Sequence, residues 1–112
     1  MAIGLMKLSL EALQVLDAID RRGSFAAAAE ELFRVPSAVT YTVQKLEQDL
    51  DGALFDRRGH RAVLTAPGRE LLQQGRHLLR AACELEFRVK RLATGWETEL
   101  RIALDAVINV DR

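Results

Sequence analysis

Cysteine is almost missing from this 112-residue chain: there is one, Cys83. An internal disulfide framework is therefore excluded. Cys83 sits beside Ala81, Ala82 and Leu85 in a helical stretch and reads as a small apolar residue, not a reactive thiol. Aromatics are scarce as well, 5% of residues against 49% hydrophobic overall, so Leu, Val and Ala must fill the interior. That composition favours helices. No apolar run reaches the ~18 residues that would span a bilayer. Residues 1–7 lack the long apolar region of a secretory signal, so the chain is expected to be cytoplasmic. An excess of charge is also lacking, with 16 Lys and Arg against 16 Asp and Glu. Residues 1–65 carry 8 basic against 9 acidic side chains, residues 66–94 carry 6 against 3, and residues 95–112 carry 2 against 4. There is thus no basic tail and no basic domain.

The chemistry of catalysis is missing too. There is no paired Cys/His spacing for a metal, no Gly-rich phosphate loop and no nucleophile–His–acid set. The two histidines, His60 and His77, are far apart in sequence, and Glu30-Glu31 reads as a solvated face. The expectation is a protein that is not an enzyme and holds no metal or cofactor in this stretch.

What the chain does have is a pair of amphipathic helical patterns separated by a tight break. Phe25, Ala28, Ala29 and Leu32 fall at i, i+3, i+4, i+7 on one helical face. A second pattern starts at Pro36, with Val39, Val43, Leu46 and Leu50 on one face and Ser37, Thr40, Tyr41, Gln44 and Gln48 on the other. An exposed helix face normally carries Glu and Lys. A face of uncharged hydrogen-bonding side chains suits the donors and acceptors of base edges in the DNA major groove. Two such helices with a tight turn read as a helix–turn–helix.

The rest of the chain fits around this pair. A first helix is expected over residues 10–22, capped by Ser9, with Leu8 and Leu13 as a hydrophobic staple and Ala12, Leu13, Leu16 and Ile19 as its apolar stripe. Gly23 ends it in the left-handed conformation and Ser24 at once caps a second helix over residues 25–33. The third runs over residues 36–50, with Pro36 in its first turn, no evident cap at Val35, and a break at Asp51-Gly52. Residues 54–64 form two short extended pieces around a turn at Arg58-Gly59-His60: either a basic hairpin wing or a merely solvated turn. Thr65 then caps a long helix that carries Pro67 in its first turn and runs to about residue 94. Along it Leu71, Leu78, Leu85 and Leu92 recur every seven residues, and Gly75, Ala82 and Val89 follow four residues after the first three. Such a seam either pairs with a second copy of the chain or packs on its own domain. Residues 99–105 alternate as a strand does, and are expected to open a further domain and to be poorly ordered here.

Taken in order, Gly23-Ser24-Phe25, Ala28-Ala29, Leu32, Ser37-Ala38-Val39-Thr40, Leu46-Glu47, Leu54-Phe55-Asp56-Arg57 and Leu64-Thr65-Ala66-Pro67-Gly68 resemble the N-terminal pattern of LysR-type transcriptional regulators. The resemblance covers residues 8 to about 105. It implies a mainly α chain: a winged helix–turn–helix of three helices and a small β-hairpin over residues 1–65, a linker and dimerisation helix over residues 66–94, and the start of an effector-binding domain over residues 95–112. By the same resemblance, Pro36, Ser37, Thr40, Tyr41 and Gln44 face the major groove, and Ser24, Arg34, Lys45, Arg57, Arg58, His60 and Arg61 meet phosphates or the minor groove. Arg57 has an alternative role, bracing the wing through Asp56 or Glu47. Leu71, Gly75, Leu78, Ala82, Leu85, Val89 and Leu92 would hold the dimer. The partners implied are double-stranded DNA and a second copy of the chain, in a dimer or, for the complete protein, a tetramer; a small-molecule effector would act on the complete protein. The chain has Val35-Pro36-Ser37 where the family often has Ser-Gln-Pro, and Tyr41 where Arg is frequent. An adaptor that no longer touches DNA is the other reading of these departures and of the neutral charge. With few phosphates met, binding should weaken with a salt slope of about −0.9 per phosphate neutralised.

Overall fold

Ser9 sits in extended backbone and its hydroxyl accepts from the N–H of Ala12 at 3.1 Å, which starts helix α1 (Leu10–Arg22). The computed structural model describes residues 6–94; the strand expected over residues 99–105 lies outside the described residues. After α1 come α2 (Phe25–Glu31), α3 (Pro36–Leu50), β1 (Phe55–Asp56), β2 (Val63–Leu64) and α4 (Ala66–Thr94). The chain divides into two units, Met1–Leu79 and Arg80–Arg112.

The core lies in the first unit. Leu13, Leu16 and Ile19 of α1 meet Ala28 and Ala29 of α2, Val39, Val43 and Leu46 of α3, Leu54 before the hairpin, Phe55 of β1 and Leu72 of α4. Each fully buried Leu, Ile or Val contributes roughly 1.5–3 kcal/mol. The buried arc of α1 is wider than its expected stripe, for Val15 and Ala18 are buried too. The alanines of α2 keep that helix thin, so α1 and α3 close around it.

Corners are set by left-handed residues. Gly23 has φ 86°, donates its N–H to the Ile19 carbonyl and passes the chain directly to Ser24, whose hydroxyl accepts from Ala27. Helix α2 stops two residues before the expected end. Leu32 caps it, and Phe33 turns to φ 56°, so that Arg34 donates back to the Ala29 carbonyl. Asp51, at φ 58°, closes α3 in the same way, and Gly52 donates to the Glu47 carbonyl. Val35 makes no side-chain cap. Leu50, expected on the buried face of α3, is 44% exposed, because the chain turns away at Asp51 before anything covers it.

The strands are two residues each and antiparallel, Phe55 opposite Leu64 and Asp56 opposite Val63, so the turn of the hairpin spans residues 57–62 instead of three residues. Its root is fixed on both sides: Glu47 accepts from the Leu54 N–H at 2.8 Å, and Ala62 donates to the Gly23 carbonyl at 3.1 Å. The Thr65 hydroxyl caps α4 by accepting from Gly68. Gly68 is needed for close approach, since a Cβ there would stand 2.1 Å from the Leu54 carbonyl oxygen.

The heptad seam is corrected at its start. Gly75 is buried against Leu13, and a Cβ at 75 would lie 2.6 Å from Leu13 Cδ2, so its smallness serves α1 and not a second chain. Leu71 is half-buried against the same core, and Leu72, one position off the seam, is fully buried. Arg76 adds a polar tie, donating to Asp17 at 2.8 Å and to Asp20 at 3.1 Å.

Candidate nucleic-acid interface

Helix α3 buries Val39, Val43 and Leu46 and turns Pro36, Ser37, Tyr41, Gln44 and Gln48 outward, with Thr40 half-buried. The uncharged face expected from the sequence is therefore exposed on a rod anchored by its aliphatic side. Thr42 is off this face; its hydroxyl donates to the Ala38 carbonyl one turn back. Tyr41 is 65% exposed.

The wing stands beside the start of α2. The Phe25 and Phe55 rings meet edge to face at 5.7 Å, and the Arg57 guanidinium lies over the Phe25 ring at 4.5 Å. Ser24, Phe25, Arg57, Gly59, His60, Arg61 and Ala62 line a cleft of about 150 Å³ between them. Arg61 folds over the Gly23 backbone. Two arginines and a histidine thus converge on one small concavity, which is the chemistry of an anion site.

The remaining basic candidates are engaged. Neither of the braces considered for Arg57 forms: Glu47 is taken by the Leu54 N–H, and Asp56 is held by Arg58. Arg58 donates to Asp56 through its side chain at 2.8 and 3.0 Å and through its backbone N–H at 3.1 Å. Those bonds lower the Asp56 carboxyl to about 2 and raise the Arg58 guanidinium. Arg34 pairs with Glu11 at the start of α1, and Lys45 sits 3.7 Å from Asp49. Ser24 accepts from the Ala27 N–H as a cap.

A second concavity was not legible in the sequence. Lys7, Ser9, Ala12, Tyr41, Thr42, Lys45, Leu46 and Asp49 line a cleft of about 150 Å³ between the start of α1 and one flank of α3. No residue pattern marks it, because it depends on which flank of α3 meets α1.

Three packed helices whose second and third form a helix–turn–helix, followed by a two-stranded wing, define a winged helix–turn–helix protein. Residues 10–69, more than half of the chain, match the model for the bacterial regulatory helix-turn-helix proteins of the lysR family, and the chain belongs to that family. It is 61% identical over 101 residues to the probable HTH-type transcriptional regulator YhaJ of Escherichia coli, covering 90% of this chain and 34% of that protein. It is 44% identical over 100 residues to the HTH-type transcriptional regulator PunR of Escherichia coli, covering 89% of this chain and 32% of that one. The chain thus spans about a third of the length of these relatives, which are named as regulators and not as enzymes. Among solved structures, it resembles BenM DBD in complex with benA site 1 DNA, at 26% identity and a TM-score of 0.74, covering 79% of this chain and 99% of that chain. It also resembles the CbnR DBD–DNA complex, at 32% identity and a TM-score of 0.69, covering 77% of this chain and 99% of that chain. No helix among the described residues is long and apolar enough to cross a membrane.

Proposed function

We propose that this chain is the DNA-binding part of a cytoplasmic LysR-type transcription regulator, and that it reads a dyad-symmetric site as a dimer. The observations that carry this are the exposed, uncharged hydrogen-bonding face of α3 and the cationic cleft between the wing and the start of α2. Ser37, Thr40 and Gln44 present hydroxyl and amide groups to base edges, with Pro36 and Tyr41 at the margins. Gln44 carries the amide for a bidentate pair with adenine, and Thr40 the hydroxyl and methyl for a hydrogen bond or a thymine methyl contact; each good contact is worth about 1–3 kcal/mol of discrimination. Arg57, His60 and Arg61 meet phosphates or the minor groove. Arg34 and Arg58, each bonded to a carboxylate, contribute less, while Lys45 is only loosely paired with Asp49. The BenM and CbnR domains that the chain resembles were both solved in complex with DNA, which supports this reading.

The dimer rests on α4. Leu78, Leu85, Val89 and Leu92 are exposed at heptad spacing, and Ala82 lies between them. The seam so defined begins at Leu78, since Leu71 and Gly75 serve the chain's own core. Two copies would place half-sites about one helical turn apart or a multiple of it. A small-molecule effector would act on a further domain of a regulator of the relatives' length.

Footprinting on the DNA upstream of the gene, at low salt, tests the proposal. A protected dyad is expected, lost on Arg57→Glu with Arg61→Glu. Absence of any protected dyad, or protection untouched by that charge reversal, would favour an adaptor that does not bind DNA.

A further inference from the structure

The cleft between α1 and α3 has no role in the reading so far. We infer that it is a second seat for a DNA backbone phosphate, formed by Lys7, Tyr41 and Lys45, on the opposite rim of α3 from the wing. The inference rests on the proposed DNA-binding reading and assigns Tyr41 to the backbone instead of to a base.

Tyr41, Lys45 and Asp49 fall at i, i+4, i+8 and form one stripe along α3. That stripe borders the outward face of Ser37, Gln44 and Gln48. Glu47, two residues beyond Lys45, lies on the other border and bonds to Leu54 at the root of the wing. A helix lying in the major groove, which is about 12 Å wide, has a phosphate backbone along each border. The wing, whose root is bonded to Glu47, stands toward one border. The α1–α3 cleft places Lys7 and Lys45 on the other.

Its chemistry is that of an anion seat. Lys7 and Lys45 both line this one concavity, and both residues are exposed. The phenol of Tyr41, itself exposed and lining the same cleft, adds a neutral donor. The one acid there, Asp49, stands 3.7 Å from Lys45, a loose pair that leaves ammonium donors free. Tyr41 thus occupies a position where an arginine would supply charge, and the charge comes instead from Lys7, on another element, and from Lys45 one turn along.

Fluorescence anisotropy of a fluorescein-labelled random-sequence DNA duplex, titrated with the 112-residue chain over a range of salt concentrations, reads the seat directly. A phosphate contact acts on every sequence alike and sets the salt slope. Lys7→Gln with Lys45→Gln is expected to make the slope shallower by about 0.9, the share of one phosphate, and each single substitution by part of that. Tyr41→Phe should weaken binding to the random duplex and to the footprinted promoter duplex by the same factor, while Asp49→Asn should tighten both. Circular dichroism and the midpoint of thermal unfolding check that these exposed substitutions leave the fold intact. Unchanged salt slopes in the lysine variants overturn the inference and leave the wider function standing. A Tyr41→Phe effect confined to the promoter duplex would return Tyr41 to base reading and also overturn it. No binding of either duplex by the wild-type chain overturns both.

Discussion

Phe33 shows how a single residue can sit against its own local chemistry. It is 95% exposed and holds φ 56°, a region that costs a bulky L-residue roughly 1–2 kcal/mol. The helical pattern of residues 25–33 carries no warning of this, because the ordinary signals for a left-handed residue are Gly, Asn and Asp. The turn at residue 33 was therefore invisible in the sequence, while the one at Gly23 was plain. Phe33→Gly should raise stability by about 0.5–1 kcal/mol, since strain is relieved and no packing is lost. Urea unfolding with an unchanged m-value measures it; a loss of stability would mean that the ring is held by contacts. Charged residues act in the opposite direction at low pH. Burial raises the Asp17 carboxyl, but the hydrogen bonds from Arg21 and Arg76 outweigh it and leave it below the ordinary value; bonds from Arg21 likewise lower Glu31, and those from Arg58 bring Asp56 to about 2. Folded-state values below the unfolded ones mean stability that is complete above about pH 4–5 and disappears as pH falls toward 2. A thermal midpoint flat from neutrality to that range and then declining is expected, and a midpoint that rises on acidification would contradict it.

At the scale of elements, what was legible and what was not divide along periodicity. Helices α1 and α3 kept their expected bounds because both ends carry local signals: Ser9 and Gly23 for one, Pro36 and Asp51-Gly52 for the other. The face of α3 was also legible, since period and residue type agree there. The buried side of α4 was not. Its leucines at seven-residue spacing pointed to Leu71 and Gly75 for a partner chain, whereas the core takes Leu72 and Gly75. A heptad marks an apolar stripe without saying which molecule covers each turn of it. The partners of Arg57 and Arg58 were equally hidden, because neighbouring side chains on a hairpin turn compete for one carboxylate and only the backbone decides between them. The contact that sets the wing on α4 is Gly68 against the Leu54 carbonyl. Gly68→Ala forces the two backbones apart and should cost about 1–3 kcal/mol, as overpacking does. Thermal unfolding checks the loss; an unchanged midpoint would show that the wing root is loosely held.

For the whole molecule, zero net charge is compatible with the proposed groove-reading face because the cations are placed in clusters. Arg57, His60 and Arg61 gather at one cleft, Lys7 and Lys45 line another, and Arg21, Arg22, Arg34, Arg58 and Arg76 are spent on carboxylates. On the proposed reading, specificity rests on Ser37, Thr40 and Gln44 more than on bulk attraction. The most direct test is selection of bound duplexes from a random pool, by the wild-type chain and by Gln44→Ala and Thr40→Ala in parallel. The wild-type chain should enrich a dyad motif, and each substitution should erase preference at its own base-pair positions in both half-sites. Enrichment of no motif, or of the same motif by all three proteins, would contradict the assignment of this face of α3 to base reading.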